Sequence, residues 1–540
     1  MAGLPGAGIA RDAAMRGFSV ALIEARDFAS GTSSKSSKLL HGGIRYLEQF
    51  QMHLVFEASH ERRLHSSFLA PHLAHSVPFL IPVYPWSPHG LFSVACGVFL
   101  YDALALFRNH GSRLLGKERA LYEEPRLEMR GLKGGVVYHD VVMDDARLVI
   151  ENVRSAAFHG AVVGNYLVVR GFDKDGTGQI RGVWVKDSGV GGKGEDFLVR
   201  GKAYVNASGP WSDYIRRLDD PAAELRLRPT KGVHIVLPNE CLGKKHAFVL
   251  TAKHDDRVFF SIPWYGRTLV GTTDTDYKSE VDGPIGEIHA FQNEVDYLME
   301  GVRRTFPGAS ATGSDIVSTF AGLRPLVAKA GGKNGPSDVS REHLIWQDSS
   351  GLITIAGGKF TTYRVMAEQT VDRVVKYLKS RWNSFGDKKY QRSITQAEAI
   401  VLPSSARERR ELSEPLKDYT ETLGSDVVMH LQHRYGARWQ MVADIALDRS
   451  ELLERIMPGE PDIKAEAIYA RDWEMALSAE DFFRRRTMLA LKTPLVKELA
   501  RVRAVGEIFR ETTTQATVAS WQGVTQPAGG PSLGSKSPVP

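Results

Sequence analysis

Cysteine is nearly absent from this 540-residue chain; Cys96 and Cys241 are the only two. Two thiols cannot build a disulfide framework, a cysteine-rich zinc module or an iron–sulfur cluster. Their scarcity fits a reducing compartment. A basic-then-apolar leader is also missing, because the N-terminus is glycine-rich, so no secretory signal is read there. No dense Lys/Arg run tracks a nucleic-acid backbone, and no nucleic-acid partner is expected. No internal repeat is found. The most apolar stretch, Leu91 to Phe107, is broken by Gly97 and Asp102 and sits at the short limit for a membrane span. It reads as a buried core helix, with an interfacial helix dipping into one leaflet as the alternative.

The length calls for two to four domains, and 43% hydrophobic with 24% charged residues is the balance of a soluble globular enzyme. The net charge of +6 is mild and favours anionic ligands or an anionic membrane face. Residues 6 to about 16 read as a helix stopped by Gly17, and FSVALIE (18–24) as a buried strand. Residues 28–43 are a Ser/Gly/Thr-rich loop, and 44–69 carry a helical pattern. Strand-like runs between turns through the middle of the chain predict sizeable mixed sheets. Residues 351–378 give a strand, a Gly-Gly turn and a long amphipathic helix, and about 405–513 a separate helical domain. The end of the chain is Pro/Gly/Ser-rich and expected to be disordered. His60, Glu61 and His65 do not form a metal motif: an i, i+5 spacing puts the histidines about 140° apart on a helix. A solvated face is the expectation there, and no metal site is expected.

A dinucleotide turn needs a strand, G-x-G-x-x-G, a helix, a second strand and an acid about 20 residues on. Gly3 and Gly6 fit the second and third glycines, and Glu24 ends the second strand. The first glycine would fall at Met1 and the first strand before it, so the unit is expected to be truncated at that strand and to hold its nucleotide weakly. Free N–H groups and the dipole of a helix start attract a pyrophosphate. An acid at position 24 favours free ribose hydroxyls, hence FAD or NAD over NADP.

Seven segments then follow in order: DFASGTSSKSSKLLHGGIRYLEQF (27–50), DDARLV (144–149), VNASGPWSD (205–213), KGVHIVLP (231–238), IPWYGRTLVGTTDTDYK (262–278), FAGLRPL (320–326) and AGGKFTTYR (356–364). Together they closely resemble the FAD-dependent, quinone-linked glycerol-3-phosphate dehydrogenases over residues 3–510. The resemblance implies an α/β fold, α+β overall, like that of D-amino-acid oxidase. A Rossmann-type FAD domain (1–75, 136–225, 319–390) would be joined by a substrate or membrane-facing region (76–135) and a mixed-sheet substrate domain (226–318). A C-terminal helical domain (400–513) and a disordered tail (514–540) would follow. It also implies oxidation of sn-glycerol 3-phosphate to dihydroxyacetone phosphate with hydride passing to flavin N5, and electrons passing on to a membrane quinone. The implied place is peripheral, on the cytoplasmic face of the inner membrane or, in a eukaryote, on the mitochondrial inner membrane; a homodimer is compatible with it. Oxygen as acceptor, with peroxide as product, is the alternative.

Within the matching segments, Arg45, Arg324 and Lys359 are the candidate phosphate cations, because a phosphate prefers guanidinium forks and an ammonium; Tyr46 adds a hydroxyl. Local ion pairing is the competing reading for Arg324 and Lys359. Removing the hydroxyl proton of a secondary alcohol calls for a histidine; His41 and His234 are both candidates, and the sequence does not separate them. Flavin contacts are expected from Gly3, Gly6, Glu24, Thr32, Ser33, Lys38 and Leu39, with Gly358, Lys359 and Thr361 near the isoalloxazine and Ser208 and Gly209 at the adenine end.

Overall fold

The computed structural model describes residues 3–523 except 49, 190–193, 240–241, 243–244, 253–254, 256, 310, 329–341, 383–389, 391, 402–416 and 512. The first helix, Leu4–Met15, carries Pro5 in its first turn, where a missing amide hydrogen costs nothing. Gly17 ends it in the left-handed conformation, at φ +85°. Its small residues Ala7, Ala10 and Ala14 let it pack closely on the helices Asp145–Phe158 and Tyr363–Arg381. Gly8 is the tightest point: a Cβ there would lie 2.8 Å from the Tyr363 ring. The helix Asp145–Phe158 starts from Asp144, whose carboxylate accepts the amide of Arg147.

Two small parallel groupings flank this helix layer. Ala21–Ile23 pairs with Val162–Gly164, and Tyr204–Asn206 pairs with Leu352–Gly357, which runs on antiparallel to His343–Gln347. Among the described residues the two groups are not hydrogen-bonded to each other. Ala21–Ile23 and Tyr204–Asn206 instead both face the central cavity across an interruption in the sheet.

The substrate half is a ten-stranded, mostly antiparallel sheet. Towards one edge of it Thr230–Pro238 is flanked by Arg267–Gly271 and Ser318–Arg324, all buried at most positions. Valines, leucines and phenylalanines from this sheet and the helix Gln292–Thr305 form its core. Each fully buried side chain of this kind contributes about 1.5–3 kcal/mol.

The C-terminal helices build two apolar cores of their own, around Phe482, Phe483 and Trp521 and around Tyr435, Trp439 and Tyr469. They meet the rest of the molecule along a buried ionic seam. Arg486 holds Asp27 with two bonds of 2.8 and 2.9 Å, and Arg485 adds a third. Arg147 pairs with Glu151 and, at 2.6 Å, with Glu474; Arg438 pairs with Glu151, and Arg434 with Asp144 at 3.1 Å.

Three expectations change. The helix Leu91–Leu104 is not a core helix: Phe92, Phe99 and Phe107 just beyond it are 84%, 61% and 62% exposed, and only Val98, Tyr101 and Asp102 are buried, with Leu91, Val94, Ala95 and Leu104 packed part-way against the core. The polar face of Met52–Leu64 is not solvated throughout. Glu61 is buried against Arg364, Arg62 against Asp140, and His65 against the Tyr363 ring at 5.2 Å; burial of each charge is met by an opposite one from a distant segment. Within the span expected to be a disordered tail, Gln515–Trp521 is a helix capped by Thr514, and Trp521 is buried. Residues 524–540 lie outside those described. No helix among the described residues is long and apolar enough to cross a membrane.

Candidate active site

A cavity of about 1440 Å³ runs from the start of the first helix to the substrate sheet. Its nucleotide end is framed by Gly3 and Gly6, by Ser33, which accepts the amide of Leu4 at 2.9 Å, and by Glu24. A Cβ on Gly3 would stand 3.0 Å from the Ser33 hydroxyl, so a larger residue would close this turn. Glu24 is buried at the end of its strand, where its carboxylate accepts the amide of Arg26 at 2.9 Å. Thr32 donates to the Leu323 carbonyl at 2.6 Å and joins the nucleotide turn to the substrate sheet. Ser208 is tied to Asn206 and, with Gly209 at φ +56°, lines the same cavity.

The opposite end gathers His41, Tyr46, His234, Thr272, Arg324 and Lys359. The Lys359 ammonium lies 3.6 Å from the centroid of the Tyr46 ring, a cation–π contact that keeps a cation inside the cavity. Arg324 bonds Asp274 at 2.9 Å, Thr272 Oγ1 at 3.1 Å and the Thr273 carbonyl at 3.0 Å. Local pairing, the competing reading of this residue, is therefore present, and it fixes the guanidinium at the cavity wall. The side chain of Arg45 lies outside the described residues.

His41 is pinned through its backbone. Its amide and carbonyl both bond Thr361 Oγ1, at 3.1 and 3.2 Å. The next amide, Gly42 N–H, donates to Tyr101 Oη at 2.9 Å, and that phenol donates to Asp140 at 2.8 Å beside buried Arg62. Burial lifts the Tyr101 phenol well above the usual tyrosine range, so it stays a neutral donor and acceptor. Gly42 allows this approach, since a Cβ would stand 2.5 Å from the phenol oxygen.

His234 is buried, with its ring stacked on Phe320 at 4.7 Å and Nε2 2.9 Å from Ser37 Oγ. Burial, then Arg324 and Lys38, holds its pKa well below that of a free imidazole, so the ring is neutral at neutral pH. Lys38 does not line the cavity. At φ +58° its chain turns away, and its ammonium bonds Asp145 at 2.6 Å and the Ser34 carbonyl at 2.7 Å. Thr361 likewise acts through the His41 backbone rather than as cavity wall. Ser37 and Thr272 are wall residues that sequence reasoning missed; a serine in a serine-rich loop carries no signal of which way it points.

A family model described as FAD dependent oxidoreductase matches residues 2–372, and one described as the C-terminal domain of alpha-glycerophosphate oxidase matches residues 386–514. The chain is 37% identical over 488 residues to the aerobic glycerol-3-phosphate dehydrogenase of Staphylococcus aureus strain USA300, covering 90% of this chain and 85% of that relative. The chain belongs to the FAD-dependent glycerol-3-phosphate dehydrogenase family. The glycerol-3-phosphate dehydrogenase of Bacillus halodurans, solved in complex with FAD, superposes with a TM-score of 0.73 at 30% identity, over 96% of this chain and 91% of that one. The L-alpha-glycerophosphate oxidase of Mycoplasma pneumoniae shares the fold, with a TM-score of 0.51 at 16% identity over 68% of this chain and 91% of that one.

FAD is the cofactor of this dehydrogenase family, and the cavity fits it. The small turn at Gly3, the helix start behind it and the buried Glu24 suit a pyrophosphate and a ribose. The cavity also exceeds the roughly 300–1000 Å³ of ordinary ligand pockets, which accommodates a dinucleotide and a second small ligand.

Proposed function

We propose that this chain oxidises sn-glycerol 3-phosphate to dihydroxyacetone phosphate and passes the electrons to a membrane quinone. The observation that carries the substrate is the pair of cations, Arg324 and Lys359, set at the end of the cavity that also holds His41 and His234. A phosphate dianion needs guanidinium and ammonium donors of this kind. Arg324 is already oriented by Asp274 and Thr272, so little ordering remains when the phosphate arrives. Tyr46 supports Lys359 from beneath, and Arg45 belongs to the same group of cations by its sequence position. The carbinol hydroxyl then falls to the histidine side of the cavity. Bound FAD supplies the two-electron acceptor for the carbinol hydrogen. Gly3, Gly6, Glu24, Thr32, Ser33, Leu39, Ser208, Gly209 and Gly358 are assigned to hold it, while Lys38 and Thr361 support the loops around it.

The quinone and the membrane are supported by the outward face of Leu91–Leu104 with Phe92, Phe99 and Phe107. Between residues 108 and 133, seven Lys and Arg stand against four Glu. An apolar face beside a basic surface suits an anionic bilayer interface. That would place the protein peripherally on an inner-membrane face.

The name of the matching C-terminal model, from an oxidase, favours oxygen as the second reading of the acceptor. The test is anaerobic and aerobic turnover of FAD-loaded protein with glycerol 3-phosphate, scoring ubiquinone-analogue reduction and hydrogen peroxide. Reduction of the quinone analogue with negligible peroxide supports the first reading, and stoichiometric peroxide supports the second. No flavin bleaching by glycerol 3-phosphate would overturn both.

A further inference from the structure

Three serines of the loop before His41, Ser34, Ser36 and Ser37, do different things. Ser36 faces Asp145, accepting nothing from the cavity: its Oγ donates to that carboxylate at 2.7 Å and its amide at 3.2 Å. Asp145 also binds the Lys38 ammonium, so the loop is clamped on both sides of Ser37. Ser34 gives its carbonyl to the same lysine. Ser36 and Ser37 both line the cavity, and Ser37 is the one that meets His234 Nε2, at 2.9 Å.

We propose that Ser37 is a catalytic residue of the carbinol oxidation, its hydroxyl carrying the substrate's hydroxyl proton to Nε2 of His234; this rests on reading the cavity as a glycerol-3-phosphate site. Nε2 is in hydrogen-bond contact with Ser37, while Nδ1 is buried without a hydrogen-bond partner among the described residues; in the tautomer protonated at Nδ1, the Nε2 lone pair faces Ser37. Ser37 is thus a polar neighbour of this ring at the cavity wall. With its own proton directed at Nε2, the serine oxygen keeps lone pairs for a donor on its open side. The substrate hydroxyl is such a donor once its phosphate is seated on Arg324, which lines the same end.

The step balances. The alcohol O–H bond breaks as an O–H bond forms on Ser37, and the original serine proton forms the N–H bond at Nε2. The carbinol C–H bond breaks, its hydrogen and electron pair go to the flavin, and the remaining electrons make the C=O double bond. The product is a ketone and an imidazolium that later returns its proton to solvent.

The charges around the ring explain why this works with substrate present and not before. Arg324 and Lys38 are the cations that face it; Lys38 is balanced by Asp145 and Arg324 in part by Asp274. A phosphate dianion on Arg324 adds the negative charge that an imidazolium next to two cations requires. Substrate binding on Arg324 is therefore expected to raise the basicity of the ring.

The test is Ser37→Ala in the FAD-loaded protein, with Ser37→Thr as the variant that keeps the hydroxyl. Loss of a positioned proton carrier is expected to lower kcat by about 100-fold or more with KM within about threefold. Flavin content per chain should be unchanged, and Ser37→Thr should recover most of the rate. A readout free of turnover is the 15N spectrum of histidine-labelled protein. The one Nε2 resonance lost in His234→Gln should not titrate from about pH 5 to 8 and should move in Ser37→Ala. A Ser37→Ala rate within about threefold of the parent overturns the proposal. So does a loss of flavin in step with the rate, or an unmoved Nε2 resonance. If the parent itself fails to oxidise glycerol 3-phosphate, the substrate reading falls, and the resonance still decides whether Ser37 holds His234.

Discussion

Arg324 shows how one side chain serves two partners at the residue scale. Its fork is divided between Asp274, Thr272 and the Thr273 carbonyl on one side and the cavity on the other. Arg324→Lys keeps the charge and loses the fork. It is expected to raise KM for glycerol 3-phosphate by about 10-fold or more with a smaller change in kcat, read from steady-state kinetics. Tyr101→Phe removes the acceptor for the Gly42 amide and leaves that group a single 3.4 Å contact to Asp140. An unsatisfied buried donor costs about 1–3 kcal/mol. The expected outcome is a lower thermal midpoint and a lower kcat, while Tyr138→Phe, a buried phenol with no bond to this loop among the described residues, serves as the matched control. Gly3, Gly6 and Glu24, singled out by their spacing in the sequence, line the same cavity. The directions of Lys38 and Ser37 were not legible in the sequence. Lys38 is in the left-handed conformation and turns away while Ser37 and Leu39 on either side of it line the cavity, and composition carries no trace of that.

At the element scale, hydrophobic pattern located the strands and helices but not which apolar face would be left uncovered. Leu91–Leu104 is apolar enough for a core, and only its tertiary neighbours decide that Phe92 and Phe99 point outward. Replacing both by Asp should abolish co-flotation with anionic vesicles without changing soluble activity towards an artificial acceptor; retained flotation would reject the membrane reading of this face. The buried polar positions of Met52–Leu64 misled for the complementary reason. Glu61 finds Arg364 303 residues away, a pairing no local pattern can signal. The interrupted sheet is an opportunity for engineering. Ala21–Ile23 and Tyr204–Asn206 each present an unpaired edge, among the described residues, to an apolar part of the cavity. A designed apolar strand of about five residues, a usual strand length, fused ahead of Gly3 should join them. Both the thermal midpoint and flavin retention should rise relative to a polar-scrambled fusion of equal length.

On the scale of the whole molecule, the ionic seam joins the flavin half to the helical half. Removing one partner of a buried pair leaves an uncompensated charge, so Arg486→Met should cost roughly 3–5 kcal/mol, measured by denaturant unfolding. The seam also has a pH signature. Burial alone would raise the carboxyl of Glu151, yet Arg147 and Arg438 override it and hold it at about 2. An unfolded glutamate titrates near about 4.3. Because the folded value is the lower one, this contribution is complete above about pH 4.3 and is lost as the pH falls towards 2. Acid unfolding followed by tryptophan fluorescence should therefore show stability falling across that window, and Glu151→Gln should flatten that part of the curve. The two-part architecture was readable from the change in composition near residue 400. The seam was not, because its members are spread from Asp27 to Arg486.

That seam also bears on how such a protein can change over time. Asp27, Arg147 and Glu151 on one side have meaning only with Arg486, Glu474 and Arg438 on the other. A recombination event that brought in a helical half from a distant relative would have to bring matching charges, or strand several ions in the dry interior. The two halves are thus expected to be inherited and exchanged as one unit, and chimaeras cut near residue 400 should fold only when both sides of the seam come from the same parent.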